Sequence, residues 1–111
     1  MISSCSVIIR KPLGQESATL GIRAAWAMLT NASLDITVLL MGDGVYSVLG
    51  KSGYIKQMFT RFLGEEGKVC AVKEDLEARG LSVSDLPDGV EEIAASEVFD
   101  LLDESDSVMT F

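Results

Sequence analysis

Cys70 is the residue of this sequence whose position is best suited to chemistry. It lies toward the end of a short apolar run, residues 69–72, which predicts a strand, and a helical pattern begins directly afterwards. A helix N-terminus and nearby cations both favour a thiolate over a thiol, and Lys68 and Lys73 flank this cysteine. A thiolate in that place could attack sulfane sulfur and carry it as a persulfide, which requires no metal. A small apolar side chain that fills a buried strand is the alternative interpretation of the same residue.

The sequence of 111 residues contains no histidine, which excludes several kinds of active site. Ser/His/Asp and Cys/His nucleophile pairs cannot form within it, and neither can a zinc site with imidazole ligands. The second cysteine, Cys5, precedes the first predicted strand and should lie near the opposite edge of a parallel sheet from Cys70. Because a disulfide needs Cα atoms within about 7 Å of each other, we expect no bridge between them. We also expect no bound metal.

Acidic pairs and glycine-rich turns offer weaker candidates. Glu65–Glu66, Glu91–Glu92 and the pair Glu104/Asp106 are interpreted as solvated edges, since none lies at a presumed carboxyl end of a strand. Residues 14–17 occupy the place of a phosphate-binding loop but lack both the GxxxxGK[ST] and the GxGxxG spacing. We therefore expect no cofactor, and keep ligand or nucleotide binding at the strand ends as a third functional hypothesis.

The charge balance restricts the partners of the chain. Seventeen acidic residues against nine basic ones give a net charge of −8, which repels phosphate backbones and anionic lipid heads. Direct binding to nucleic acid or to a membrane is therefore disfavoured. A solvated surface is the simple interpretation of this charge, and docking of a basic partner is the alternative. The apolar runs are too short for a signal peptide or a membrane span, so we expect a cytoplasmic protein.

Short β-branched runs alternate with longer helical patterns, which is typical of a parallel sheet with helices on both faces. The predicted strands are residues 7–9, 36–40, 69–72, 90–93 and 108–111. The predicted helices are residues 17–30, 54–63, 73–79 and 96–103. No repeat or linker divides the sequence, so residues 1–111 should form a single domain. The first helix is apolar around nearly its whole circumference, which favours contact with another subunit over a helix buried deeply within a monomer.

Residues 41–53 should form a tightly turned or flexible segment, because they include four glycines. They follow the second strand, and ligands bind at the carboxyl ends of strands in open α/β sheets. Asp43, Gly44, Val45 and Tyr46 are therefore our candidates for residues that shape a pocket, with Lys73 supporting the thiolate of Cys70.

The run KVCAVKEDLEARGL, residues 68–81, resembles the strand, cysteine, helix and Arg-Gly segment of DsrE and TusD proteins. Other segments follow the order of that family. Among them are a first strand with a Pro/Gly loop and an Ala-rich helix, then Asp43-Gly44-Val45 after strand two, and finally an acidic helix leading into residues 106–111. Over nearly its whole length, the chain resembles the DsrE/DsrF-like (DsrEFH, TusBCD) sulfur-relay family.

This resemblance implies a three-layer α/β/α sandwich around a five-stranded parallel sheet. It also implies assembly into a homo-oligomer, a trimer or hexamer, or into a hetero-oligomer with related subunits. Cys70 would accept sulfur from a protein donor and pass it to a protein acceptor, as a sulfurtransferase does. Subunits such as DsrF and TusC lack a demonstrated transfer role, so a non-catalytic subunit with an unreactive Cys70 is the alternative.

Overall fold

The computed structural model describes residues 3–11, 16–31, 34–48 and 54–111. Within these ranges the elements are, in chain order, β1 (Ser4–Ile9), α1 (Glu16–Asn31), β2 (Asp35–Leu40), α2 (Tyr54–Gly64), β3 (Lys68–Val72), α3 (Lys73–Glu77), β4 (Val90–Ile93), α4 (Val98–Glu104) and β5 (Ser107–Thr110). Short 3₁₀ segments are found at Gly42–Val48, Val83–Asp85 and Ala95–Glu97. No helix in the described ranges is long and apolar enough to cross a membrane.

The predicted elements agree with these bounds except at a few ends. The third helix is shorter than predicted, because α3 ends at Glu77 and the chain turns through Gly80, which has a positive φ of 70°. The glycine-rich segment after β2 folds into the 3₁₀ helix Gly42–Val48. Its remainder, residues 49–53, and residues 14 and 15 of the phosphate-loop candidate lie outside the described residues.

All five strands form one parallel sheet in the order β4-β3-β2-β1-β5. Parallel neighbours need crossover connections, and the helices between consecutive strands supply them. The strand order reverses between β1 and β5, so β5 is an edge strand beside β1. The predicted fold class, an α/β sandwich with a five-stranded parallel sheet, is confirmed.

The two faces of the sheet are covered unequally. In the larger core, the side chains on one face of the sheet, including Val7, Val38 and Ala71, pack against α1 and α2. On the other face Ile8, Leu39, Cys70 and Val72 pack with Val98, which is the buried residue of α4. Because α4 is only seven residues long, it covers part of this face. We call this second side of the sheet the α4 face.

Helix α1 buries most of its apolar surface within the chain itself. Ile22 and Ala25 belong to the larger core, and Trp26, Met28 and Leu29 pack partly buried against it. The helix contacts α2 as well as β1 and β2, which explains its broad apolar surface without a partner. The expected subunit contact through α1 therefore stays a prediction, and Leu20, 48% exposed, is the large apolar side chain that α1 leaves in solvent.

Asp106 fastens the start of β5 to the start of β1. Its Oδ2 accepts hydrogen bonds from the Ser3 backbone N–H at 2.8 Å, the Ser3 hydroxyl at 2.7 Å and the Ser4 N–H at 3.1 Å. Its own N–H donates to Ser4 Oγ at 3.0 Å. Bonds from Ser3 and Ser4 favour the charged carboxylate, and they hold the pKa of Asp106 below its ordinary value.

We expect Asp106→Asn to lower the melting temperature at neutral pH and to flatten its dependence on acid pH. Since the folded pKa of Asp106 lies below the unfolded value, its stabilisation is present above the unfolded pKa and is lost as pH falls through the folded pKa. Thermal unfolding between neutral pH and about pH 3 measures this. Asp103→Asn, a change at an exposed residue of α4, is the control. If the melting temperatures of the wild type and Asp106→Asn fall equally with pH, the hydrogen bonds of Asp106 do not stabilise the fold in the way described.

Candidate functional site

Cys70 occupies the middle of β3, with Leu39 of β2 and Glu91 of β4 as its neighbours across the sheet. Strand alternation points its side chain to the α4 face, where it packs with Ile8 and Val72. Only 4% of the residue is exposed. The sulfur therefore faces sideways from the sheet, and does not project from the carboxyl end of the strand.

A groove of about 580 Å³ opens on the α4 face beside Cys70, between α4 and the first residues of β1, β2 and β3. Thr37, Cys70 and Ile93 contribute to it from the strands, and Leu101 contributes from α4. The groove exists because α4 is short and no other described element covers the amino-terminal half of this sheet face. Cys70 thus lies almost buried but at the wall of an open space.

The groove is strongly acidic. Its lining includes six carboxylate residues and one cation, Lys68; the carboxylates are Asp35, Glu66, Glu91, Glu97, Asp100 and Glu104. Despite their number, no three metal-ligating side chains of the described residues converge closely enough to hold a metal ion. The described lining of the groove therefore presents a negative field.

This environment keeps Cys70 protonated. Burial is the main cause that raises the pKa of the Cys70 thiol to about 11, the charge of Glu91 raises it further, and Lys68 acts in the opposite direction. Lys73, expected to support a thiolate, lies beyond the end of β3 and pairs with Glu77 at 3.9 Å. The isolated chain therefore presents a thiol, which is a weak nucleophile, at neutral pH.

Cys5 lies inside β1, and not before it as the sequence predicts. Its side chain belongs to the larger core on the opposite face of the sheet from Cys70, and burial raises the pKa of its thiol as well. Both cysteines are free, as expected. The two thiols are separated because their side chains lie on opposite faces of the sheet, and not because they lie at opposite edges.

The predicted pocket residues lie on the segment Gly42–Val48 at the carboxyl end of the sheet. Arg79 holds this segment with hydrogen bonds from Nε and Nη2 to Asp43 Oδ1 at 3.1 and 2.9 Å, and its guanidinium lies 5.9 Å from the centre of the Tyr46 ring. Val45 is buried in the larger core. Gly44 packs directly against the backbone of Ile9, where a side chain has no room.

Asp75 of α3 supports the same network. Its Oδ2 accepts the N–H of Gly42 at 2.9 Å, and the Asp75 carbonyl accepts from Arg79 Nη1 at 2.9 Å. The sequence pattern predicted no role for Arg79, although the Arg-Gly pair at residues 79–80 was an available signal. Arg79, Asp43 and Gly42 also border a second cleft of about 470 Å³, near Arg10 and Phe111.

The candidate site residues therefore fall into two places. Cys70 borders the acidic groove on the α4 face, whereas Asp43, Gly44, Val45 and Tyr46 lie on the segment at the carboxyl edge. None of these four borders the groove beside Cys70, and Lys73 is not among its lining residues either. The structure brings Cys70 together with Lys68, Glu91 and the acidic side of α4 instead.

Comparison with known proteins identifies the family. A sequence model described as "DsrH like protein" matches residues 21–108. The chain belongs to the DsrH-like family. The resemblance to the DsrEFH/TusBCD sulfur-relay proteins is thereby confirmed, with DsrH as the matching branch.

This DsrH-like protein is similar to other sequences and to solved structures that share its fold. The uncharacterized protein MK0008 of Methanopyrus kandleri is 32% identical over 114 residues, covering 95% of this chain and 90% of that one. The crystal structure of the YchN protein from E. coli superposes with a TM-score of 0.84 and 31% identity over the whole of both chains. MTH1491 from Methanobacterium thermoautotrophicum has a TM-score of 0.80 at 20% identity, covering 97% of this chain and 98% of that one, and shows the fold alone.

Proposed function

We propose that this DsrH-like chain is a subunit of a sulfur relay in which Cys70 accepts sulfane sulfur, as a persulfide, from a partner protein seated in the acidic groove. The observation that carries this proposal is the position of the Cys70 side chain at the wall of a 580 Å³ groove on the incompletely covered α4 face. The relay operates in the cytoplasm, where free thiols persist. The partners are a protein donor and a protein acceptor, within a homo-oligomer or an assembly of related subunits.

The transfer requires one nucleophilic sulfur. The Cys70 thiol loses its proton to solvent, and the thiolate attacks the outer sulfur of the donor persulfide. The donor S–S bond breaks, the donor cysteine leaves as a thiolate, and a new S–S bond joins the outer sulfur to Cys70. Attack by an acceptor thiolate on that outer sulfur repeats the exchange and restores the Cys70 thiolate. No net oxidation occurs, so no redox cofactor is needed.

A non-catalytic relay subunit is the second candidate, and one observation favours it. The Cys70 side chain is 4% exposed, and the pKa of its thiol is raised to about 11, as for a cysteine that only fills space. In that case the groove would serve as a packing surface for another subunit, and sulfur would pass through cysteines of the other chains.

Treatment with a polysulfide separates the two candidates. We expect the intact mass of the wild type to increase by one sulfur atom, slowly at neutral pH and faster as pH rises toward the Cys70 pKa of about 11. Cys70→Ala should abolish the gain, whereas Cys5→Ala, the matched change on the opposite face, should keep it. A wild type that gains no sulfur at alkaline pH while still folded by circular dichroism would favour the non-catalytic subunit.

A further inference from the structure

The α4 face is covered less than a parallel sheet normally is. Parallel sheets are found almost only with both faces packed under other elements. Here α4 covers part of the second face, and at the adjoining edge Val108 of β5, which lies opposite Ser6 in the register, remains 44% exposed. Among the residues that the structure describes, the groove at the amino-terminal half of this face is therefore a surface left without an intramolecular partner.

The chemistry of this surface selects its occupant. Cys70 and Leu101 give the groove an apolar part, and Asp35, Glu66 and Glu104 belong to the carboxylates around it. The Cys70 thiol, almost fully buried and with no hydrogen-bond partner among the described residues, borders the same space. Lys68 is the single cation among the described residues of the lining. An occupant that buries this apolar part must bring positive charge to the rim, because unpaired carboxylates become costly when water is removed from them.

We propose that the groove docks a segment of a partner protein that carries lysine or arginine side chains around small apolar ones. The role of this partner as a sulfur donor or acceptor rests on the proposed relay function. Its recognition rests on the charge and the apolar part of the groove. A second copy of this chain fits poorly, because a copy with a net charge of −8 is repelled by the same carboxylates. A cationic side chain beside Glu91 would also offset a charge that opposes ionisation of Cys70.

Binding is tested with two short fluorescent peptides of equal length, one built from lysine and leucine and the other from glutamate and leucine. Fluorescence anisotropy is measured on full-length Cys70→Ala, so that docking is observed without any sulfur transfer. The lysine peptide should bind with an affinity that falls as salt rises, and the glutamate peptide should not bind. Failure of sulfur loading in the wild type, with this binding intact, would reject the relay and leave the docking surface standing.

The groove variant combines Glu91→Gln, Asp100→Asn and Glu104→Gln, three exposed lining residues. Three weakened charge contacts should reduce affinity for the lysine peptide by at least about tenfold, which corresponds to about 1.4 kcal/mol.

The control variant combines Glu65→Gln, Asp88→Asn and Asp103→Asn, which are exposed residues outside the groove. It makes the same change in net charge and should lower affinity by less than about twofold, since none of its three side chains lines the groove and exposed charges that a docked segment does not contact are screened by water and salt. Equal losses in the two variants, or no binding by the wild type, would overturn the proposal. Sedimentation in which the groove variant alone changes the oligomeric state, with peptide binding unaffected, would assign the groove to a second copy and overturn it as well.

Discussion

Alkylation of Cys70 in the folded chain should be at least about a hundredfold slower at neutral pH than alkylation of the same cysteine in the unfolded chain. Burial raises the pKa of the Cys70 thiol from an ordinary value of 9.0 to about 11, which reduces the thiolate population by this factor. The low exposure of the side chain, 4%, slows the reagent further. Iodoacetamide labelling of Cys5→Ala, followed by intact mass with and without denaturant, isolates Cys70. A folded rate equal to the unfolded rate would show that the thiol is neither buried nor held protonated.

The dependence on pH identifies the cause. Below the pKa of the thiol, the folded rate should rise about tenfold per pH unit. Because the charge of Glu91 raises this pKa and Lys68 lowers it, Glu91→Gln should speed labelling and Lys68→Gln should slow it. Glu92→Gln is the matched control, since Glu92 is opposite Ala71 in the register, on the other face of the sheet. Identical profiles for Glu91→Gln and Glu92→Gln would reject the electrostatic explanation.

Gly44→Ala should destabilise the chain by about 3 kcal/mol or more, at or above the upper end of the usual cost of overpacking. A Cβ on Gly44 would fall well inside van der Waals contact with the carbonyl oxygen of Ile9. That oxygen cannot easily retreat, because it accepts a hydrogen bond from the Met41 N–H at 3.1 Å. The segment Gly42–Val48 would have to lift away from β1. Urea unfolding monitored by circular dichroism measures the loss.

Gly64→Ala provides the control. Gly64 is the last residue of α2, and a Cβ there meets no atom within 4 Å. Replacing a glycine whose backbone tolerates a side chain commonly stabilises by about 0.4–1 kcal/mol, through the unfolded state. Comparable losses in Gly44→Ala and Gly64→Ala would show that the close packing against Ile9 is not what makes Gly44 necessary.

The sequence was informative about architecture because the signals of the fold are local. Runs such as residues 36–40 and 69–72 are rich in β-branched side chains, and each lies within the bounds of a strand. The alternation of strands and helices then restricts the topology to a parallel sheet. Two element ends were missed: β1 begins at Ser4, three residues before the predicted start, because its first residues, Ser4, Cys5 and Ser6, carry no β-branched side chain. Helix α3 ends at Glu77, two residues before the predicted end, and Gly80 then turns the chain with positive φ.

The surroundings of Cys70 could not be predicted in the same way, because they are set by non-local contacts. The face to which its side chain points follows from strand register, and the charge that opposes its ionisation comes from Glu91 on the next strand. The groove depends on how much of the sheet face α4 covers, which no local pattern reveals. Arg79 likewise gains its role only when the turn after α3 approaches Asp43.

The relay is tested most directly by transfer from a docked donor to Cys70. The donor is a lysine/leucine peptide whose single cysteine carries a persulfide, and its glutamate/leucine counterpart is the control. We predict that the intact mass of the chain increases by one sulfur atom on incubation with the lysine peptide, and that this gain is slower with the glutamate peptide. Cys70→Ala should gain no sulfur from either peptide. Transfer at the same rate from both peptides, or a lysine peptide that occupies the groove and leaves Cys70 without added sulfur, would contradict the account.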